Sequence, residues 1–397
     1  MHPVATEMLQ RLKKKKQKII SAMFLISIAL PALTGIIVVL FGMATGQHPV
    51  STNGWDESTY FSWGNARIYE YPRTQNGSYW LGSMVTWIGH QAGLSGTMIN
   101  ILCDTVLTLL IAILIIQISK NLEVPLATSI CFAALAISLT LFFNYSNPLV
   151  ANLKLFDPTA ILTSSKNTYI PHFRTPNPQL TLIVIIIETI AILSTLPKII
   201  KNFVIAASTL MVALTGYLFL LPGYFCITIP LIASRIMKKN IDSKRIVLVA
   251  SSGISTIIFI LTSIFFGKSL QHALQTGTNS SVLKYLMDTG RLQLEYHSPI
   301  FTFTSLVALA CCIVVTKTAV EKGNRYSEES SRNKIYYLCL ITILLTLASI
   351  YSTNLQVFSG YLLESKGFID YGSNIWGCLA IGTAYLSWEK LRANETP

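Results

Sequence analysis

The sequence predicts an all-α integral membrane protein, a polytopic transmembrane helix bundle of about ten spans forming one domain over 1–397. Three observations carry this. The chain is 52% hydrophobic and only 12% charged, against about 25% charged in soluble domains. Its apolar residues come in long runs, ten of which approach the roughly 20 residues that cross hydrocarbon. Alternating those runs from a cytoplasmic N-terminus places 21 of the 30 lysines and arginines inside and nine outside, as the positive-inside rule requires.

In order, the segments are 19–43, 97–118, 125–143, 180–196, 203–220, 222–236, 246–266, 299–316, 335–351 and 372–388. The basic N-terminus 1–18, with Lys13, Lys14, Lys15, Lys16 and Lys18, abuts the first and reads as a cytoplasmic anchor facing anionic lipid. That first segment is too long for a signal-peptide core and is expected to stay in the mature protein. The fifth and sixth are one apolar run broken at Leu221-Pro222-Gly223-Tyr224, where Pro and Gly favour a tight hairpin over an overlong helix. Four outer loops follow, at 44–96, 144–179, 267–298 and 352–371, with a cytoplasmic Lys/Glu/Ser-rich linker at 317–334. Amphipathic stretches at 56–71 and 78–92, rich in Trp and Tyr, predict helices along the outer interface. Both termini fall on the cytoplasmic side.

The net charge of +12 is distributed as membrane topology demands, so nucleic acid is not the expected partner. All seven cysteines lie in apolar stretches without zinc or disulfide spacing. There is no His-Glu-x-x-His and no Asp-x-Asp. Gly267-Lys268-Ser269 ends like a phosphate loop, but Thr262 stands where that loop needs glycine. Nucleotide-driven chemistry is therefore not expected. No cofactor is expected, with divalent-metal dependence left open.

Large loops carry function more often than connection. In the first, Asp56 and Glu57 lie among Trp55, Tyr60, Phe61 and Trp63. A dry aromatic surface can raise a carboxylate's pKa and suit it to general-base work; the same residues also fit an interfacial belt with two solvated acids. In the second, Tyr169 to Gln179 includes His172, Arg174 and three prolines and runs into the fourth span. Asn177 as N-cap and Pro178 at the first helical position would aim that helix's positive end outward beside Arg174, an anion site for phosphate to which Lys154 and Lys166 can add. An interfacial anchor and a stiffened loop is the competing reading. Asp104 sits about 10 Å into the second helix and either lines the outer cavity or bonds a neighbouring helix; for Glu188, deeper in the fourth, bonding between helices is preferred. In the last outer loop, Asn354, Gln356, Gly360, Glu364, Lys366 and Asp370 mix amides, charge and aromatics as carbohydrate sites do.

An Asp-Glu pair soon after the first span, Tyr60 a few residues later and an interfacial helix before the second span together resemble the GT-C superfamily of membrane glycosyltransferases. The resemblance covers roughly 19–118 and the general topology. It implies a polyprenyl-phosphate sugar donor, an outer-face site, and a first-loop carboxylate, here Asp56 with Glu57 adjacent, as base on the acceptor hydroxyl. The expected role is transfer of a sugar from undecaprenyl phosphate to a surface-glycan or lipid-linked acceptor, in a bacterial inner membrane. Two alternatives stand beside it: an O-antigen-type polymerase, and a glycan flippase or transporter. Broken mid-membrane helices and paired repeats, the marks of a transporter, are not evident.

Overall fold

The computed structural model describes residues 18, 22, 25, 29, 80–122, 124–142, 179–194, 196–215, 220–240, 243–276, 287–288, 292–293, 299–322, 329–363 and 372–393. Apart from two strands of two residues each, the secondary structure of this set is helical. The helices are α1 Trp80–Gln91, α2 Gly96–Asn121, α3 Leu126–Phe142, α4 Gln179–Leu193, α5 Lys198–Thr215, α6 Leu221–Asn240 and α7 Lys244–Thr276. Then follow β1 Leu292–Gln293, α8 Phe303–Lys322, α9 Glu329–Ser352, α10 Gln356–Ser359, β2 Leu362–Leu363 and α11 Asn374–Ala393.

Among the described residues, helices coincide with nine of the ten apolar segments; the first segment lies almost wholly outside them. Four helical stretches are long and apolar enough to cross a membrane: Ile101–Asn121, Lys244–Thr276, Phe303–Glu321 and Asn333–Ser352. Gln179–Leu193 and Leu221–Met237 are apolar but shorter. Fifteen residues in α4 reach only about 22 Å at the helical rise, less than the hydrocarbon core.

Packing forms a closed circuit in the order α2, α3, α11, α9, α6, α4 and back to α2. Outside it, α5 rests mainly on α4, α7 on α6 and α9, and α8 on α9 and α11. The hub is α11, whose Trp376, Cys378, Ala380 and Leu386 are fully buried. Protein surrounds most of it, which is why it needs less apolar surface than the four helices long and apolar enough to cross a membrane.

Small and hydroxylated residues make these contacts close, as is usual between membrane helices. The buried face of α7 is one row at every fourth position, Val247, Ser251, Ser255, Phe259, Ser263 and Gly267, a ridge inclined to the helix axis. Ser255 Oγ donates across it to the Cys226 carbonyl of α6 at 2.8 Å. On the other side, Thr302 caps α8 by accepting from Ser305 N at 3.0 Å and bonds Ser373 Oγ at 2.8 Å. Thr304 donates to Asn374 Oδ1 at 2.9 Å, and Ser349 of α9 to the Ser373 carbonyl at 2.7 Å. These buried hydroxyls tie the starts of α8 and α11 to the end of α9.

The boundaries differ from expectation in three places. α7 continues ten residues past the apolar run, so 267–276 is helix rather than loop. The linker expected at 317–334 is shorter than that range, because α8 runs to Lys322 and α9 begins at Glu329. Charged side chains near helix ends can stay solvated while the backbone remains helical, and apolar runs understate such ends. Finally, α5 ends at Thr215 and α6 already begins at Leu221, so Pro222 and Gly223 lie in the first turn of α6 rather than in a hairpin turn; α5 packs mainly on α4, and α6 on α7 and α9.

Candidate functional site

Asp56, Glu57, Tyr60, Lys154, Lys166, His172 and Arg174 lie outside the described residues, and so does the expected Asn177-Pro178 cap. Asp104 is placed on α2 by its backbone, its side chain outside the described set. Gln179 opens α4 and is buried. Gln356 opens α10, also buried, with Nε2 lacking a hydrogen-bond partner among the described residues. Stretch 78–92 is helical from Trp80 to Gln91 and exposes Trp87 and Ile88, as an interfacial helix would; stretch 56–71 lies outside the described residues.

The third and fourth outer loops of the sequence reading converge. Leu292 and Gln293 pair antiparallel with Leu363 and Leu362. Asn354 clamps the chain entering α8: its Oδ1 accepts from Ile300 N at 2.7 Å and its Nδ2 donates to the Ile300 carbonyl at 2.9 Å. Thr353 Oγ1 donates to the same carbonyl at 3.0 Å.

Between the distal turns of α7 and the α10 turn lies a cleft of about 390 Å³, lined by Ile264, Gly267, Lys268, Gln271 and Leu274 from one side and Phe358, Ser359, Gly360 and Tyr361 from the other. Gly267 permits the approach, since a Cβ there would sit 2.6 Å from the Ser359 carbonyl oxygen. Gly360 takes the left-handed conformation (φ 74°) that ends α10, with its N–H donating to the Gln356 carbonyl at 3.0 Å. Ser359 Oγ then fixes the next peptide, accepting from Tyr361 N at 3.2 Å and donating to Tyr361 O at 3.1 Å. Behind the wall, Phe259 stacks on Tyr351 (4.2 Å, 5°) and meets Phe358 edge-on (5.7 Å, 81°), while Tyr351 and Thr256 hydroxyls bond at 2.8 Å. The result is a braced recess with an exposed Phe, a Tyr, a Lys and a Gln. Gly267→Ala is expected to push the α10 turn off α7 and weaken any ligand of the recess several-fold, readable by titration; unchanged affinity would show the approach to be dispensable.

Lys268 and Ser269 are in helix interior, so their backbone donors are engaged and no phosphate loop forms there. Sequence reasoning missed Lys268 and Gln271 as site residues; the every-fourth-position row running past the apolar segment to Gly267 was the available signal.

The second polar constellation centres on Glu188, which is buried. Oε1 accepts from Thr209 Oγ1 of α5 at 2.9 Å, and Oε2 from Tyr224 OH of α6 at 2.6 Å. One carboxyl thus joins three helices, in line with the inter-helix role expected of it. Glu188→Ala strips the buried Tyr224 hydroxyl and the half-buried Thr209 hydroxyl of their acceptor and is expected to cost about 1–3 kcal/mol. Glu188→Gln should cost less, because the amide can accept one bond and donate the other. Thermal unfolding in detergent checks both.

All seven cysteines are free, and all but the half-buried Cys311 are buried. Among the described residues no cluster of three His, Cys, Asp or Glu could hold a metal ion. Comparison with known proteins finds no family model, no curated protein and no solved structure that matches the chain.

Proposed function

We propose that this protein is a membrane glycosyltransferase of GT-C type, moving a sugar from a polyprenyl-phosphate carrier to a glycan or lipid-linked acceptor on the outer face of a bacterial inner membrane. The reading takes about ten spans with both termini cytoplasmic. The observation that carries it is the α7–α10 recess, built where two expected outer loops meet. A pyranose has apolar faces that suit Phe358 and Tyr361 and hydroxyls that suit Lys268 and Gln271. Its size lies within the range of small-ligand sites.

In this scheme Asp56 accepts the proton of the acceptor hydroxyl as that oxygen bonds to the sugar C1, and the C1–O bond to the carrier phosphate breaks. Arg174 neutralises the departing phosphate, with Lys154, Lys166 and His172 adding to the anion site. Glu57, Tyr60, Asp104, Gln179 and Gln356 complete the proposed surroundings.

Two measurements test this. Phe358→Ala is expected to raise the acceptor KM roughly tenfold, about 1.4 kcal/mol, with kcat little changed; an unaltered KM would remove the recess from acceptor binding. Lipid-linked glycan profiles after gene deletion address the reaction. A missing sugar supports the transferase. Accumulated single repeats would replace it with the polymerase, and complete glycans retained on the inner leaflet with a flippase.

A further inference from the structure

The α7–α10 recess is chemically one-sided. Among the described residues lining it, Lys268 carries the sole charge, and there is no Asp, Glu or Asn. Lys268 is exposed, and no hydrogen bond or ion pair engages its ammonium among the described residues. Ser359 Oγ is already committed to the Tyr361 backbone. The polar side chains left for a ligand are the Lys268 ammonium, the Gln271 amide and the Tyr361 hydroxyl. An ammonium has three donors and no acceptor, and a primary amide adds two donors for one carbonyl. Donors therefore outnumber acceptors. A neutral sugar, whose hydroxyls donate as well as accept, leaves that excess unmatched; a carboxylate or phosphate, which only accepts, matches it.

The place of Lys268 along α7 adds to this. Residues 246–267 carry no charge and span about 33 Å at the helical rise, close to the thickness of the hydrocarbon core. Lys268 is the first charge beyond that stretch, so in a bilayer it stands at headgroup depth. Ile264 and the exposed Phe265 lie on the hydrocarbon side of it. At that level the ammonium keeps water on its outer side and needs no buried counter-acid. On its inner side Phe358 and Tyr361 displace water, and a lower local dielectric strengthens its attraction for an anion. The same two rings offer a stacking surface to the apolar face of a pyranose.

We propose that the recess takes an anionic saccharide: a pyranose against Phe358 and Tyr361, with a carboxylate or phosphate substituent on Lys268. Gln271, one turn further along α7, holds a neighbouring hydroxyl. This charge preference rests on the reading of the recess as a sugar site and holds whichever reaction follows binding.

Saturation-transfer NMR on the purified full-length protein in detergent, at low ionic strength, tests the assignment with three probes: methyl glucuronide, methyl glucoside 6-phosphate and methyl glucoside. At least one charged probe is expected to bind about fivefold more tightly than methyl glucoside, as one part-exposed charge pair allows. Which of the two does so separates carboxylate from phosphate. Lys268→Gln should remove the advantage and leave methyl glucoside binding as it was, while Lys268→Arg preserves it. Lys198→Gln, at an exposed lysine of α5, should leave it intact. Phe358→Ala should weaken charged and neutral probes alike. Equal affinity for all three probes, lowered together by Phe358→Ala, would overturn the charge preference and leave the sugar site standing. Binding of none of them would overturn both. An advantage that survives Lys268→Gln, or that is lost equally in Lys198→Gln, would overturn the proposal. So would displacement of the charged probe by an equal concentration of inorganic phosphate or glycerol 1-phosphate, which would make the anion alone, free or from a lipid headgroup, the ligand.

Discussion

Gly223→Ala is expected to destabilise the bundle by about 2–3 kcal/mol, near the upper end of the usual cost of overpacking a core. Gly223 lies in the first turn of α6, directly under the indole of Trp376 from α11. A Cβ at this position would fall 2.7 Å from both Cδ1 and Cε2, and nearer still to Nε1. Such separations are far inside van der Waals contact, so the ring has to move. It has little room, because Trp376 is only 1% exposed and sits on the hub helix among α3, α8 and α9. Trp376 Nε1 has no hydrogen-bond partner among the described residues, so close packing alone fixes the ring. Pairing Gly223→Ala with Trp376→Leu should recover part of the loss, since a smaller side chain tolerates the methyl. Thermal unfolding in detergent reads both variants. An unchanged midpoint for the single variant would mean that α6 and α11 are not apposed through this glycine.

Asp56→Asn is expected to lower sugar transfer by about 10²–10⁴-fold, the usual contribution of a positioned general base. The amide keeps the size of the carboxylate but cannot take up a proton. Wild-type transfer should rise with pH through the pKa of that base, since only the ionised form acts; the asparagine variant should lose this dependence. Glu57→Gln is expected to have a smaller effect. The assay follows a polyprenyl-phosphate-linked sugar into acceptor in membrane vesicles, normalised to the amount of folded protein. Full activity in Asp56→Asn would remove the acid from catalysis.

Helix positions were readable from the sequence because a span declares itself as an unbroken apolar run. Helix ends were less so. Lys268, Gln271 and His272 look like loop composition, yet α7 carries them on three further turns. Glu188 was legible as a bond between helices, because an acid in such a run needs a partner. Its particular partners, 21 and 36 residues away, depend on how α5 and α6 settle around α4. The recess was the least legible feature. It depends on Gly267 meeting Ser359 across more than ninety positions, and a bare glycine does not advertise the carbonyl that will press on it. The expected catalytic dipeptide and Arg174 lie outside the described residues, and their reading rests on residue types and, for the dipeptide, on the resemblance to GT-C glycosyltransferases.

The place of α11 has a consequence for biogenesis. Ribosomes deliver α3, α8 and α9 before the helix that all three grip, so those earlier pieces enter the bilayer without their keystone. Insertion and final consolidation are then separate events, and the second must await translation through residue 393. A nascent chain stopped after α9 would expose the faces meant for α11 and offer quality-control proteases a window that closes only when the hub arrives.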